Sequence, residues 1–127
     1  MALLKLLVID DEPAITALIG RIAEPCGFAA VATWDAAQFR KQYEREAPDV
    51  ICMDLAMPDV DGVEIFSYLA NRGCRCPLII VSGFDPCIVS SALRLAEARG
   101  LNVAGAIVKP INVPEFRKLL LKLAADC

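Results

Sequence analysis

Histidine is missing altogether from the 127 residues of this chain. There is also no Cys-x-x-Cys pair, so the sequence offers none of the usual ligand sets of a structural zinc site. No apolar run approaches the ~18 residues of a membrane span. The apolar stretch Met1 to Ile9 runs straight into Asp10, Asp11 and Glu12, too short and too abruptly acidic for a signal peptide; a cytoplasmic location without membrane association is expected. A basic block is absent as well. With 13 basic and 16 acidic residues the net charge is −3, which argues against direct nucleic-acid binding, since nothing is available to displace phosphate counterions. No linker, repeat or low-complexity segment breaks the chain. A single domain over residues 1–127 is expected, of a size that buries roughly two-thirds of its unfolded surface.

What the chain does have is apolar material, 57% of its residues. Cysteines stand at 26, 52, 74, 76, 87 and 127. Without an export signal they are expected to be reduced and incidental to the fold. Cys52 lies inside an apolar run, where a free cysteine behaves as a small hydrophobe.

Short apolar runs alternate five times with amphipathic stretches. The runs are Leu4–Ile9, Ala29–Thr33, Val50–Met53, Leu78–Val81 and Ala106–Val108. Being continuous, they suit strands buried on both faces of a parallel sheet. Between them, Ile15, Leu18, Ile19 and Ile22 fall at helical spacing, as do Phe116, Leu119, Leu120 and Leu123. Asp35 with Gln38, Asp61 with Glu64, and Asn112 with Glu115 have capping-box spacing. Asp85-Pro86 fits an N-cap followed by proline at the first helical position, and Gly27, Gly73 and Gly100 stand at helix exits. Strands and helices in this alternation give a doubly wound α/β domain of three layers. For five units the leading order is the flavodoxin-like 2-1-3-4-5, whose ligands bind beyond the carboxyl ends of the strands, where the first and third part.

The residues that end the runs are the functional signal. Asp10 and Asp11 end the first, Asp54 the third, Ser82 the fourth and Lys109 the fifth. In a parallel sheet all five meet at one edge. Three carboxylates and one ammonium leave a charge of −2 there, and like charges ~4 Å apart repel by about 4 kcal/mol at an effective dielectric of 20. One Mg²⁺ brings the sum to zero, and an all-oxygen ligand set with room for water suits Mg²⁺. A carboxylate so placed can attack phosphorus to give an acyl phosphate, with cation and hydroxyl binding the other oxygens. Taken singly, these residues read as a helix cap, a turn residue, a loop start and a surface lysine. Those readings do not explain complementary polar groups at four strand ends while the second strand ends in Thr33-Trp34.

Four stretches in order, Val8-Ile9-Asp10-Asp11-Glu12-Pro13, Met53 to Gly62, Val81-Ser82-Gly83 and Val108-Lys109-Pro110, make the chain resemble the receiver domain of two-component response regulators over essentially its whole length. The resemblance implies a signalling switch in which Asp54 accepts a phosphoryl group from a histidine kinase or histidine phosphotransfer protein. It implies Mg²⁺ bound by Asp11, Asp54 and the Ala56 carbonyl, with Asp10 acting largely through water. Ser82 and Lys109 would contact the phosphoryl group, and Lys109-Pro110 is a candidate for a cis bond. Such a chain catalyses only its own phosphorylation and slow dephosphorylation. It signals to an effector domain or protein through the face of its fourth helix, fifth strand and fifth helix.

The chain departs from that family at Ala106, where receivers usually carry Tyr or Phe, so a weaker or different coupling to that face is expected, with Phe84 as a possible substitute ring. Ala56 and Phe84 offer no polar group to orient an attacking water, so slow self-hydrolysis is expected. Residues 99–105 lengthen the approach to the last strand, similar to receivers that precede EAL-type cyclic-di-GMP phosphodiesterase domains. Leu95 and Leu121 are further candidates for a partner surface, although core filling explains them as well. Three alternatives compete. A haloacid-dehalogenase-like phosphohydrolase would need a D-x-D after its first strand, and Asp54-Leu55-Ala56 lacks the second acid. A flavin-binding domain would not place Asp10-Asp11-Glu12 where a phosphate binds. A pseudo-receiver would bind partners without phosphorylation.

Overall fold

The structure is a computed structural model, and it describes residues 3–55, 62–83 and 86–127. Along the chain run β1 (Leu4–Ile9), α1 (Pro13–Ala23), β2 (Phe28–Thr33), α2 (Ala36–Glu46), β3 (Val50–Asp54), α3 (Gly62–Asn71), β4 (Leu78–Ser82), α4 (Pro86–Ala98), β5 (Val103–Val108) and α5 (Val113–Asp126). The strands form one parallel sheet in the order β2-β1-β3-β4-β5, the order expected from five βα units.

Alternate strand residues point to opposite faces, and each face has its own core. One gathers Leu6, Val8, Val50, Cys52, Ile79 and Val81 under α1 and α5. The other gathers Leu7, Ile9, Ile51, Met53, Leu78 and Ile80 under α2, α3 and α4. The helical stripes seat as their spacing requires: Ile19 and Ile22 of α1 are buried, as are Phe116, Leu120 and Leu123 of α5. Burying each of these large side chains contributes about 1.5–3 kcal/mol.

Helix starts are set by local chemistry. Asp35 accepts from Gln38 N–H at 2.8 Å, while the Gln38 side chain returns a bond to Trp34 N–H at 3.2 Å. The return bond thus reaches one residue further back than a strict capping box. Asn112 Oδ1 accepts from Glu115 N–H at 3.0 Å. Asp61 and Asp85, expected to cap α3 and α4, lie outside the described residues. Before Gly27, α1 passes through a 3₁₀ turn, Glu24–Cys26, so that glycine ends the turn rather than the helix.

β2, β3 and β4 each differ from the runs read in the sequence by one residue, and β5 differs most. β5 begins at Val103 rather than Ala106, so residues 103–105 of the supposed lengthened approach are strand. The register against β4 shifts between Leu78 and Ile79, which pair with Val103 and Gly105. The extra residue, Ala104, is a bulge, and Gly105 breaks the apolar run that marks the other strands. A Cβ on Gly105 would lie 3.1 Å from Leu119 Cδ2, so the glycine lets α5 approach the strand closely.

Candidate functional site

The register that builds the sheet also brings the strand ends level. Ile9 pairs with Met53, Asp54 with Val81, and Ser82 with Val108. Backbone bonds carry the ladder into the loops. Asp10 N–H donates to Thr33 O at 3.0 Å, Leu55 N–H to Val81 O at 3.0 Å, and Lys109 N–H to Ser82 O at 2.7 Å. Asp10, Asp54, Ser82 and Lys109 are therefore each held by main chain on at least one side. The Lys109-Pro110 bond is cis.

Asp10, Asp54 and Ser82 are buried, whereas Asp11 is exposed. Lys109 Nζ lies 3.2 Å from Asp54 Oδ2 and 3.3 Å from Asp10 Oδ2. It also lies 3.2 Å from Glu12 Oε1. Carboxylate oxygens of Asp10, Asp11, Glu12 and Asp54 all fall within 4.8 Å of one another. Glu12 is the residue the sequence reading missed. Its signal was its place directly after the aspartate pair, at the N-cap of α1. With it the cluster carries four carboxylates against one ammonium, a charge of −3 that one divalent cation reduces to −1.

The electrostatics follow from this crowding. Burial pushes the Asp10 carboxyl above its ordinary range, and the Asp54 charge adds to that; the Glu12 N–H donated to Asp10 Oδ1 at 2.9 Å and the Lys109 ammonium only partly offset it. Burial works against the Lys109 charge, but the hydrogen bond and charge of Asp54, with Glu12 and Asp10, outweigh it and hold that pKa above its usual value. The ammonium is thus charged throughout the neutral range. Asp10 Oδ2 is buried without a hydrogen bond. Its 3.3 Å approach to Lys109 is a contact of charges rather than a directed bond, and a buried oxygen left this way costs about 1–3 kcal/mol or more. Four converging carboxylates and one orphaned buried oxygen fit a hard divalent cation. Ala56, expected to lend its carbonyl, and Phe84 lie outside the described residues.

Beside the cluster an open cleft of about 360 Å³ is lined by Asp10, Asp11, Pro13, Thr16, Ala32 and Trp34. Trp34, the one tryptophan of the chain, is 60% exposed there. Among the described residues no helix is long and apolar enough to cross a membrane.

Residues 6–121 match the family described as the response regulator receiver domain. The alkaline phosphatase synthesis transcriptional regulatory protein PhoP of Bacillus subtilis is 31% identical over 81 residues, covering 64% of this chain and 34% of its own length. A protein-glutamate methylesterase/protein-glutamine glutaminase of Koribacter versatilis is 32% identical over 125 residues, covering 97% of this chain and 32% of its own length. The chain thus spans about a third of these curated relatives. Among solved structures, a response regulator from Colwellia psychrerythraea is 31% identical with a TM-score of 0.79, over 98% of this chain and 99% of that one.

Proposed function

The chain belongs to the response regulator receiver domain family, and from that premise we propose that Asp54 is its phosphoacceptor, with Lys109 and Ser82 as the groups that bind the phosphoryl oxygens. The carrying observation is the convergence of Lys109 Nζ on Asp54 Oδ2 at 3.2 Å, within the cluster formed by Asp10, Asp11 and Glu12. Asp54 attacks the phosphorus of a phosphohistidine on a histidine kinase or phosphotransfer protein. The P–N bond breaks, imidazole leaves, and an acyl phosphate remains on the carboxylate. Mg²⁺, held by Asp11, Asp54 and the Ala56 carbonyl with Asp10 acting through water, would supply positive charge against the phosphoryl oxygens.

Lys109 is shared among Asp10, Glu12 and Asp54 before the reaction. A phosphoryl group on Asp54 competes for that ammonium, and the rearrangement is the first step of the switch. Output then runs through α4, β5 and α5, whose exposed apolar side chains Ile88, Val108 and Leu121 suit an effector domain or protein. Leu95 packs against the core instead. Ala106 has no ring to follow Ser82, so coupling to this face is weaker than in receivers with an aromatic there. Association with an EAL-type phosphodiesterase rests on residues 99–105, of which 103–105 belong to β5.

The test uses acetyl phosphate and Mg²⁺ with intact-mass detection. Wild type gains one phosphoryl group, and both Asp54→Asn and chelation of Mg²⁺ abolish the gain. A gain that survives chelation would remove the metal argument. No gain under any donor would leave a pseudo-receiver. The absence of a polar group at Ala56 and Phe84 favours a phosphorylated state that lasts well beyond seconds.

A further inference from the structure

The loop from α3 to β4, at the end of the sheet away from the acidic cluster, carries Cys74-Arg75-Cys76. Main chain and neighbours fix both thiols. Gly73 turns the chain at a φ of 65°, Cys74 N–H donates to Leu69 O at 3.0 Å, and Cys76 Sγ donates to Pro48 O at 2.9 Å. Cys74 is 6% exposed, and Cys76 is half-buried. Residues two apart have Cα atoms at most about 7 Å apart, a span that overlaps the 4.4–6.8 Å typical of disulfides.

We propose that Cys74 and Cys76 are an oxidisable dithiol, a modification site at which a peroxide converts the pair to an intramolecular disulfide. Both are free cysteines in this structure. The roles divide by environment. Contact with Cys76 lowers the Cys74 pKa, burial opposes this, and the Tyr43 hydroxyl helps to lower it further. Contact with Cys74, then burial, raises that of Cys76, and the Asp49 charge acts in the same direction. These contacts favour the thiolate at Cys74 over Cys76, whose Sγ donates to Pro48 O. Cys52, by contrast, is wholly buried and its thiol is pushed up by desolvation.

The chemistry balances with hydrogen peroxide as oxidant. The Cys74 thiolate attacks one peroxide oxygen and the O–O bond breaks. The departing hydroxide takes a proton to become water, leaving a sulfenic acid on Cys74. Cys76 sulfur then attacks Cys74 Sγ and the S–O bond breaks. The Cys76 proton leaves with the hydroxide as a second water, and an S–S bond forms. Two thiols are oxidised and one peroxide is reduced.

Oxidation of this pair does not depend on phosphorylation and is measured without it. The full chain is treated with limiting hydrogen peroxide, alkylated and cut with trypsin. Since Arg72 and Arg75 flank Cys74, a Cys74–Cys76 disulfide joins two tryptic peptides that part on reduction. The expected result is this linked pair, formed before Cys87 or Cys127 loses alkylation. Loss at Cys87 or Cys127 first, with Cys74 and Cys76 still alkylated, would overturn the proposal. In Cys76→Ser a dimedone adduct should stop at Cys74, while in Cys74→Ser oxidation at Cys76 should be slower by about tenfold. Equal rates in the two variants would also overturn it.

Discussion

β3 and β5 flank β4 on its two sides, yet they are built oppositely. All five residues of β3 are buried, ending in Asp54. Of the six in β5 only Ile107 is buried, and Val108 is 61% exposed. The central strand carries Asp54, the proposed phosphoacceptor, into a site where desolvation makes every charge count. The edge strand, bulged at Ala104 and thinned by Gly105 and Ala106, leaves a surface that a partner can reach. Chemistry and transmission thus occupy strands with different packing, and a change on one side should leave the other largely intact.

The largest expected effect lies in the central strand. Ile51→Ala, at a fully buried position, should cost about 2–5 kcal/mol of stability, since truncation there leaves a cavity. Urea unfolding measures it; a cost below about 1 kcal/mol would mean that the centre is not tightly packed.

Asp10→Asn comes next, with the opposite sign. It keeps an oxygen to accept the Glu12 N–H while removing a desolvated charge facing Asp54. Without Mg²⁺ the variant should be more stable by about 1 kcal/mol, and it should gain less stability from Mg²⁺ than wild type does. A pH dependence follows. The Asp10 pKa is raised above its ordinary 3.8 in the fold, so the native state holds this proton in a window just above that value where the unfolded chain has lost it. Asp10 therefore makes stability fall as pH rises through that window. Metal-free thermal melts should show that decline in wild type and a weaker one in Asp10→Asn; an equal decline in both would locate it elsewhere.

The smallest effect belongs to the edge. Val108→Ala should change stability by no more than about 0.5 kcal/mol and leave acetyl phosphate labelling unchanged. A drop in labelling would show that the two strands are coupled more tightly than their packing implies.

The same difference in packing decides what was legible in the sequence. β3 and β4 stand out because each is a continuous apolar run closed by a polar residue, as burial on both faces demands; β1 keeps that pattern apart from Lys5 near its start. The same logic exposed Asp10, Asp54, Ser82 and Lys109. The start of β5 was hidden because a bulge and a glycine satisfy the ladder without apolar side chains. Glu12 was hidden because it reaches Lys109 from the N-cap of α1, a contact 97 residues apart in sequence. Likewise Cys74, Cys76 and Tyr43 meet only once α2 lies beside the loop that leaves α3.

The proposed switch stands or falls with phosphorylation of Asp54. The most direct measurement labels the full chain with acetyl phosphate and Mg²⁺, reduces the acyl phosphate with borohydride, and maps the product by peptide mass spectrometry. Homoserine is expected in place of aspartate at position 54 alone. Reduction at Asp10 or Asp11, with Asp54 unchanged, would contradict it.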